Sequence, residues 1–276
     1  MLTVIIGILV RIFSNSYLNV LQKILTGKNE PSSVINFFSY LGLTIIGIII
    51  CPNPIFSTAI LPNFCFLGLL GALGNYYIIK ALSCGELSVL APINSYKPII
   101  ALIWGIFLLN ETPHICEILA ILLIIIGTLI LTPGKLFFIK STFYRFLALF
   151  FSGTEAIFIK KIIVLTNVQT GFLYWALAGL VFSTVFVLFS KHPIKISKQS
   201  RKYQLGLIIL TAIMQYSTNY VFSKMNVAYA LALFQLSTIV SVFLGVNLFK
   251  EKELIKKLIA SFIMIFGAII IILNKF

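Results

Sequence analysis

The chain has 276 residues, of which 60% are hydrophobic, with a mean hydropathy of +1.08 and a formal net charge of +14. An apolar share of this size excludes an ordinary soluble domain. The positive balance does not point to nucleic acid: the basic residues lie in short connections between apolar stretches and build no basic domain, as Lys and Arg in cytoplasmic loops do.

Taken in chain order, ten stretches have membrane-spanning length: about residues 2–25, 33–51, 63–81, 87–109 and 114–131, then 142–165, 169–190, 203–225, 228–249 and 255–273. Each is long enough to cross a hydrocarbon core of about 30 Å. The reading is an all-α membrane protein of ten transmembrane helices. The start, Met1-Leu2-Thr3, lacks the basic region of a cleavable signal.

In the first span Arg11, Asn15 and Asn19 recur every fourth residue and Gln22 continues the stripe, so one helix face is polar. In the third, Asn75 follows Gly68, Gly71 and Gly74, which let another backbone come close. The fourth holds Pro92-Ile93-Asn94-Ser95-Tyr96-Lys97-Pro98; its prolines free the carbonyls of Ser88 and Asn94, and a broken helix carrying a lysine is the pattern of a transport site. The sixth carries Glu155. In the eighth, Thr211, Gln215, Asn219 and Phe222 share a face, and in the ninth Gln235 and Thr238 do. Tyr76, Tyr96 and Tyr216 lie beside polar positions and could stack on a ligand.

A charge at the bilayer centre costs roughly 2.5–3.5 kcal/mol on insertion scales, so Arg11, Lys97 and Glu155 should face a protein interior or wet cavity. Two cations against one anion leave one positive charge, which a substrate carboxylate or phosphate could match. The expected substrate-contacting set is Arg11, Asn15, Asn19, Asn75, Asn94, Tyr96, Lys97, Glu155, Gln215, Asn219 and Gln235. Spans one, three, four, six, eight and nine should line one cavity, with spans five and ten peripheral. Interhelical hydrogen bonding is the competing role for the amides, and a fixed Lys97–Glu155 pair the competing role for the charges.

Enzymatic chemistry has little to work with. Aspartate is absent, the two histidines sit at span ends, and the four cysteines show no CxxC, so no catalytic triad, metal site or cofactor is expected. No ATP-binding loop is present, so transport would be driven by a gradient, with protons as a candidate coupling ion.

The sequence also repeats. At an offset of 140, Gly105, Glu111 and Gly127 fall on Gly245, Glu251 and Gly267, Asn75 falls on Gln215, and Lys23 precedes Lys161 by 138. Five spans per half is odd, so the halves, residues 1–134 and 141–276, should be inverted five-helix repeats. Glu111 and Glu251 are expected to cap the helices that follow them. The connections after the odd-numbered spans hold fifteen basic residues, Lys23 and Arg145 among them, against four on the other side. That count makes the first face cytoplasmic and places both termini outside.

The run Gly105-Ile-Phe-Leu-Leu-Asn-Glu111-Thr-Pro followed by Gly127, echoed by Gly245, Glu251 and Gly267, resembles EamA-type members of the drug/metabolite transporter superfamily over essentially the whole chain. The resemblance implies two five-helix halves and export or import of small solutes. It also implies termini in the cytoplasm, against the charge count. The expected protein is a secondary-active transporter of a small polar metabolite, such as an amino acid or other anionic or zwitterionic solute. It would sit in the cytoplasmic membrane as a monomer or weak homodimer. Flipping of a lipid or lipid-linked sugar, or export of an organic cation on Glu155, are the alternatives.

Overall fold

The structure is a computed structural model that describes residues 2–85, 90, 92–110, 114–131, 140–190, 192–237, 239–241, 243–244 and 254–275. Among the described residues the chain is helical, without strands: α1 (Leu2–Gly27), α2 (Ser32–Ile50), α3 (Ile60–Cys84), a 3₁₀ turn (Pro92–Tyr96), α4 (Lys97–Leu109), α5 (Ile115–Leu131), α6 (Lys140–Leu165), α7 (Val168–Leu188), α8 (Arg201–Lys224), α9 (Val227–Phe234) and α10 (Leu254–Lys275). Five of these, α1, α2, α3, α7 and α8, are by themselves long and apolar enough to cross a membrane. Expected capping residues Glu111 and Glu251, and Thr238, lie outside the described residues.

Two expected spans are interrupted. The stretch 87–109 does not run as one helix: residues 92–96 wind as 3₁₀, and α4 starts at Lys97 with Pro98 in its first turn. Proline is at home there, since its missing N–H would have no intrahelical partner and its φ suits the helix. The stretch 228–249 is likewise broken, because α9 ends at Phe234 and Gln235 and Leu236 form a turn. The interruptions sit 140 residues apart, at Ser95 and Gln235.

Helix contacts follow a pattern. The pairs α1–α8 and α3–α6 are extensive, and α2–α7, α4–α9 and α5–α10 pack on each other. Exchanging the first five helices with the last five maps this set onto itself. Gly127 and Gly267 carry the α5–α10 contact. A Cβ on Gly127 would come within 2.8 Å of the Ala260 carbonyl oxygen, and one on Gly267 within 2.8 Å of that of Ala120. A larger residue at either site would have to push backbone away.

The molecule is apolar outside, and its hydrophobic interior also encloses polar and charged groups. Ile6, Phe13, Phe56, Phe107, Phe143 and Phe262 are exposed, whereas Arg11, Asn36, Thr170, Asn219 and Gln235 are buried. An apolar exterior suits a hydrocarbon surround, where outer side chains need no water and inner polar groups need partners. α7 shows how an end is closed: the Asn167 side chain accepts the Thr170 N–H at 2.8 Å as its N-cap.

Outside the helices, the α1–α2 turn is tied to the loop before α8, where Glu30 accepts the Ser197 N–H at 3.2 Å. Partial burial raises the Glu30 pKa, but hydrogen bonds from Ser197 and Ser200 outweigh it and hold the group below its ordinary 4.5. A lowered carboxylate pKa makes this link strongest above pH 4.5 and weakens it as pH falls through the folded value. Hydrogen exchange of the Ser197 amide, corrected for intrinsic rate, should lose protection on acidification below pH 4.5, and Glu30→Gln should remove most of that pH dependence.

Candidate functional site

One cavity of about 100 Å³ lies at the centre of the bundle. Eight of the eleven expected residues line it: Arg11, Asn15, Asn19, Asn75, Asn94, Lys97, Glu155 and Gln215. The helical periodicity of α1 and α6 explains this, because positions four and seven apart share a face. Residues of α1, α3, α4, α6, α8 and α9 form the wall as expected, and none of the described side chains of α5 and α10 reaches it. The wall also takes Tyr40 from α2 and Trp175 from α7.

Tyr96, Asn219 and Gln235 do not line it. Tyr96 turns toward Phe146, ring centroids 6.2 Å apart. Asn219 is fully buried one turn from Gln215, and the two amides bond each other at 2.9 Å. The Gln235 amide donates at 2.9 Å to the Leu231 carbonyl, which the end of α9 would leave free. Of the tyrosines expected to stack, Tyr76 faces a separate, wider opening beside Lys80, and Tyr216 packs on Phe172 at 6.2 Å. The aromatic residues that reach the cavity are Phe222, Tyr40 and Trp175, the last two packed 5.3 Å apart.

Glu155 is held from three sides. Its Oε1 accepts the Trp175 indole N–H, its carboxylate lies over Gly71, and Lys97 is its electrostatic neighbour. Among the described residues no direct ion pair within 4.0 Å joins Glu155 to Lys97, Arg11 or Arg145, so the fixed-pair arrangement is not formed. Gly71 is a spatial requirement, since a Cβ there would strike the carboxylate and come within 3.3 Å of the Tyr40 hydroxyl. Tyr40 in turn lies flat against Gly179.

Arg11 is 8% exposed, and its Nε and Nη1 have no hydrogen-bond partner. Its guanidinium carbon lies 5.0 Å from the centroid of the Phe234 ring, at the end of α9. That contact holds a cation in place without consuming its donors. Arg145, read from sequence as a loop residue, is a correction: it is 4% exposed within α6, lines the cavity, and donates from Nε to the Leu90 carbonyl at 3.1 Å. It therefore leaves the loop charge count.

Several amides on the wall serve the scaffold as well. Asn75 donates to Asn36 and accepts from Gln22 at 3.4 Å, and Asn36 donates to the Ala72 carbonyl at 3.2 Å. Asn15 donates to Ser237 Oγ at 3.0 Å and Ser16 to the Ser237 carbonyl at 2.8 Å, tying α1 to the turn after α9.

Two lysines close the ends of this assembly in matching ways. Lys23 Nζ donates to the carbonyls of Leu82 (2.9 Å) and Gly85 at the end of α3. Lys160 Nζ donates to those of Phe222 and Met225 (3.2 Å) at the end of α8. The acceptors differ by 140 in each case. The lysine matching Lys23 is thus Lys160, not Lys161, whose ammonium lies over Phe158. A cation on the last carbonyls of a helix is favoured by the helix dipole.

With this geometry in view, the sequence matches the model of the EamA-like transporter family over residues 2–132 and again over 139–273. The chain belongs to that family. It is a multi-pass membrane protein of the drug/metabolite transporter superfamily. No curated protein matches it. Among solved structures, one crystal structure superposes with a TM-score of 0.75 at 16% identity, covering 99% of this chain and 97% of its own, a likeness of fold.

For this EamA-like transporter, replacing Gly71 tests the cavity directly. Gly71→Ala should displace the Glu155 carboxylate from Trp175 and cost about 1.5–3 kcal/mol, the range of a charged hydrogen bond. In a Trp104→Phe background, where Trp175 is the one remaining indole, the emission maximum of Trp175 should shift. An unchanged spectrum and melting temperature would show the carboxylate is not seated there.

Proposed function

We propose that this protein is a secondary-active transporter that carries a small anionic or zwitterionic metabolite across the cytoplasmic membrane by alternating access between two inverted repeats. The observation that carries this reading is the unpartnered guanidinium of Arg11, nine-tenths buried and on the wall of a central cavity. A buried cation with idle donors is costly unless an anion reaches it.

The repeats, residues 1–134 and 141–276, supply the motion. The interruptions at Ser95 and Gln235 put half-helices beside the cavity from both halves, the arrangement from which transporter sites are built. Lys23 and Lys160 cap α3 and α8 at opposite ends of the bundle. Releasing one clamp while keeping the other opens one side at a time. Both clamps are made here.

Glu155 is the coupling group on this reading. It can hold a proton in one state and face a cation, either Lys97 or the substrate's own ammonium, in the other. Trp175 holds the carboxylate, and Tyr40, packed on Trp175, closes the wall behind it. Cavity residues Asn15, Asn19, Asn75, Asn94 and Gln215 offer amide donors and acceptors to the rest of the solute.

Reconstituted protein tests both roles in a counterflow assay. Arg11→Gln should lower substrate exchange by roughly 10–100-fold, the equivalent of a lost charge-assisted bond of about 1.5–3 kcal/mol. Glu155→Gln should leave exchange intact while abolishing accumulation driven by a pH gradient. Unchanged accumulation in well-folded Glu155→Gln protein would remove Glu155 from coupling.

Orientation is testable separately. With Arg145 removed from the loops, the face holding Lys195, Lys198, Arg201 and Lys202 remains the basic one, so that face is cytoplasmic and both termini are outside. A reporter fused after Phe276 should behave as extracytoplasmic; cytoplasmic activity would reverse the assignment.

A further inference from the structure

We infer that the solute carries two negative charges on a short frame, as a small dicarboxylate or phosphomonoester does, with one anionic group received by each half of the protein. The inference rests on the transport reading above and narrows its substrate class.

It starts from the charges on the cavity wall. Arg11, Lys97 and Arg145 face one carboxylate, Glu155. The sequence placed one unmatched positive charge in the core; the burial of Arg145 makes it two. An uncompensated buried ion stays costly even after relaxation. A monoanion or zwitterion therefore leaves the cavity charged, whereas a dianion brings it to zero with Glu155 ionised.

The placement of the arginines agrees with two separate anionic groups. Arg145 is fixed at the interruption before α4 by its Nε bond to the Leu90 carbonyl. Arg11 is fixed at the end of α9, over the Phe234 ring. Each interruption thus has its own guanidinium, one supplied by α1 and one by α6, the first helices of the two halves. A guanidinium has five N–H donors, and holding Leu90 uses one of them on Arg145. Lys97 opens α4 between these points, its Cγ 3.5 Å from where a Cβ of Gly153 would be.

Size limits the frame. A single water needs at least about 10–15 Å³ by this measure, so a cavity of about 100 Å³ suits a solute of roughly ten heavy atoms or fewer. Four-carbon dicarboxylates and three-carbon phosphomonoesters fall in that range, and nucleotides do not.

Counterflow in proteoliposomes decides the matter with four probes at equal concentration: succinate, glycerol 3-phosphate, lactate and alanine. Succinate or glycerol 3-phosphate should exchange at least tenfold faster than lactate or alanine, and which of the two leads separates carboxylate from phosphate ends. Arg145→Gln should remove that preference, bringing lactate level with succinate. Arg145→Lys, which retains the charge, should keep it, and serves where the glutamine variant does not fold. Equal exchange of lactate or alanine with the dianions overturns the inference and leaves the transporter reading standing. Exchange of none of the four, by protein that is monodisperse and correctly inserted, overturns both.

Discussion

A charge buried in a bilayer must be met by something, and the architecture is organised around that requirement. Arg11, Lys97, Arg145 and Glu155 all reach one central space, while the outer surface is left to Ile, Leu and Phe. Trp175 and Gly71 seat the carboxylate, the Phe234 ring seats one guanidinium and the Leu90 carbonyl the other. Each support is neutral, so none cancels the charge it positions. The cavity stays electrostatically unfinished, as the proposed site for a charged solute requires.

The same economy governs how helices meet. Lipid supplies no hydrophobic drive between helices, so association rests on close packing and internal hydrogen bonds. The glycines at 127 and 267 let α5 and α10 approach to backbone contact, away from the cavity. Around the cavity, amides and hydroxyls do the joining: Asn36 to Asn75, Ser16 to Ser237, Gln204 to Ser39 at 3.0 Å. Such bonds contribute modestly each, about 0.6 kcal/mol on average in membrane helices. That suits helices that would have to move, as α1, α3, α6 and α8 would on the proposed alternating-access reading.

Much of this was legible in the sequence because the membrane simplifies the code. A charge inside an apolar run has few places to go, and the spacing of Arg11, Asn15 and Asn19 fixes a common face. The prolines marked the first interruption. The second carries no proline, and only the turn at Gln235 reveals it. Arg145 was misplaced because it lies six residues into a helix that begins with Lys140 and so resembled a loop cation; burial is a property of the packed neighbours, α4 and the segment at Leu90. Tyr40 and Trp175 gave no periodic signal, since their role comes from the approach of α2 to α7 across 135 residues of sequence. Asn219 and Gln235 share helix faces with cavity candidates and Tyr96 adjoins polar positions, yet each finds its partner elsewhere: Gln215, the Leu231 carbonyl and Phe146.

The helix pairing has a historical reading. On the two-repeat view, α2–α7, α4–α9 and α5–α10 are each a helix against its own counterpart, the contacts that two copies of one five-helix unit would make across a twofold axis in a membrane. Lys23 and Lys160, and Gly127 and Gly267, have kept that equivalence. The charges have not. In the register that aligns the two lysines, Arg11 corresponds to Ala148, Arg145 to Ile8 and Glu155 to Leu18. What holds and closes the molecule remains twofold, and what the solute meets does not. A scaffold doubled in this way could acquire polarity of recognition by changing single residues in one copy, leaving its mechanics in duplicate.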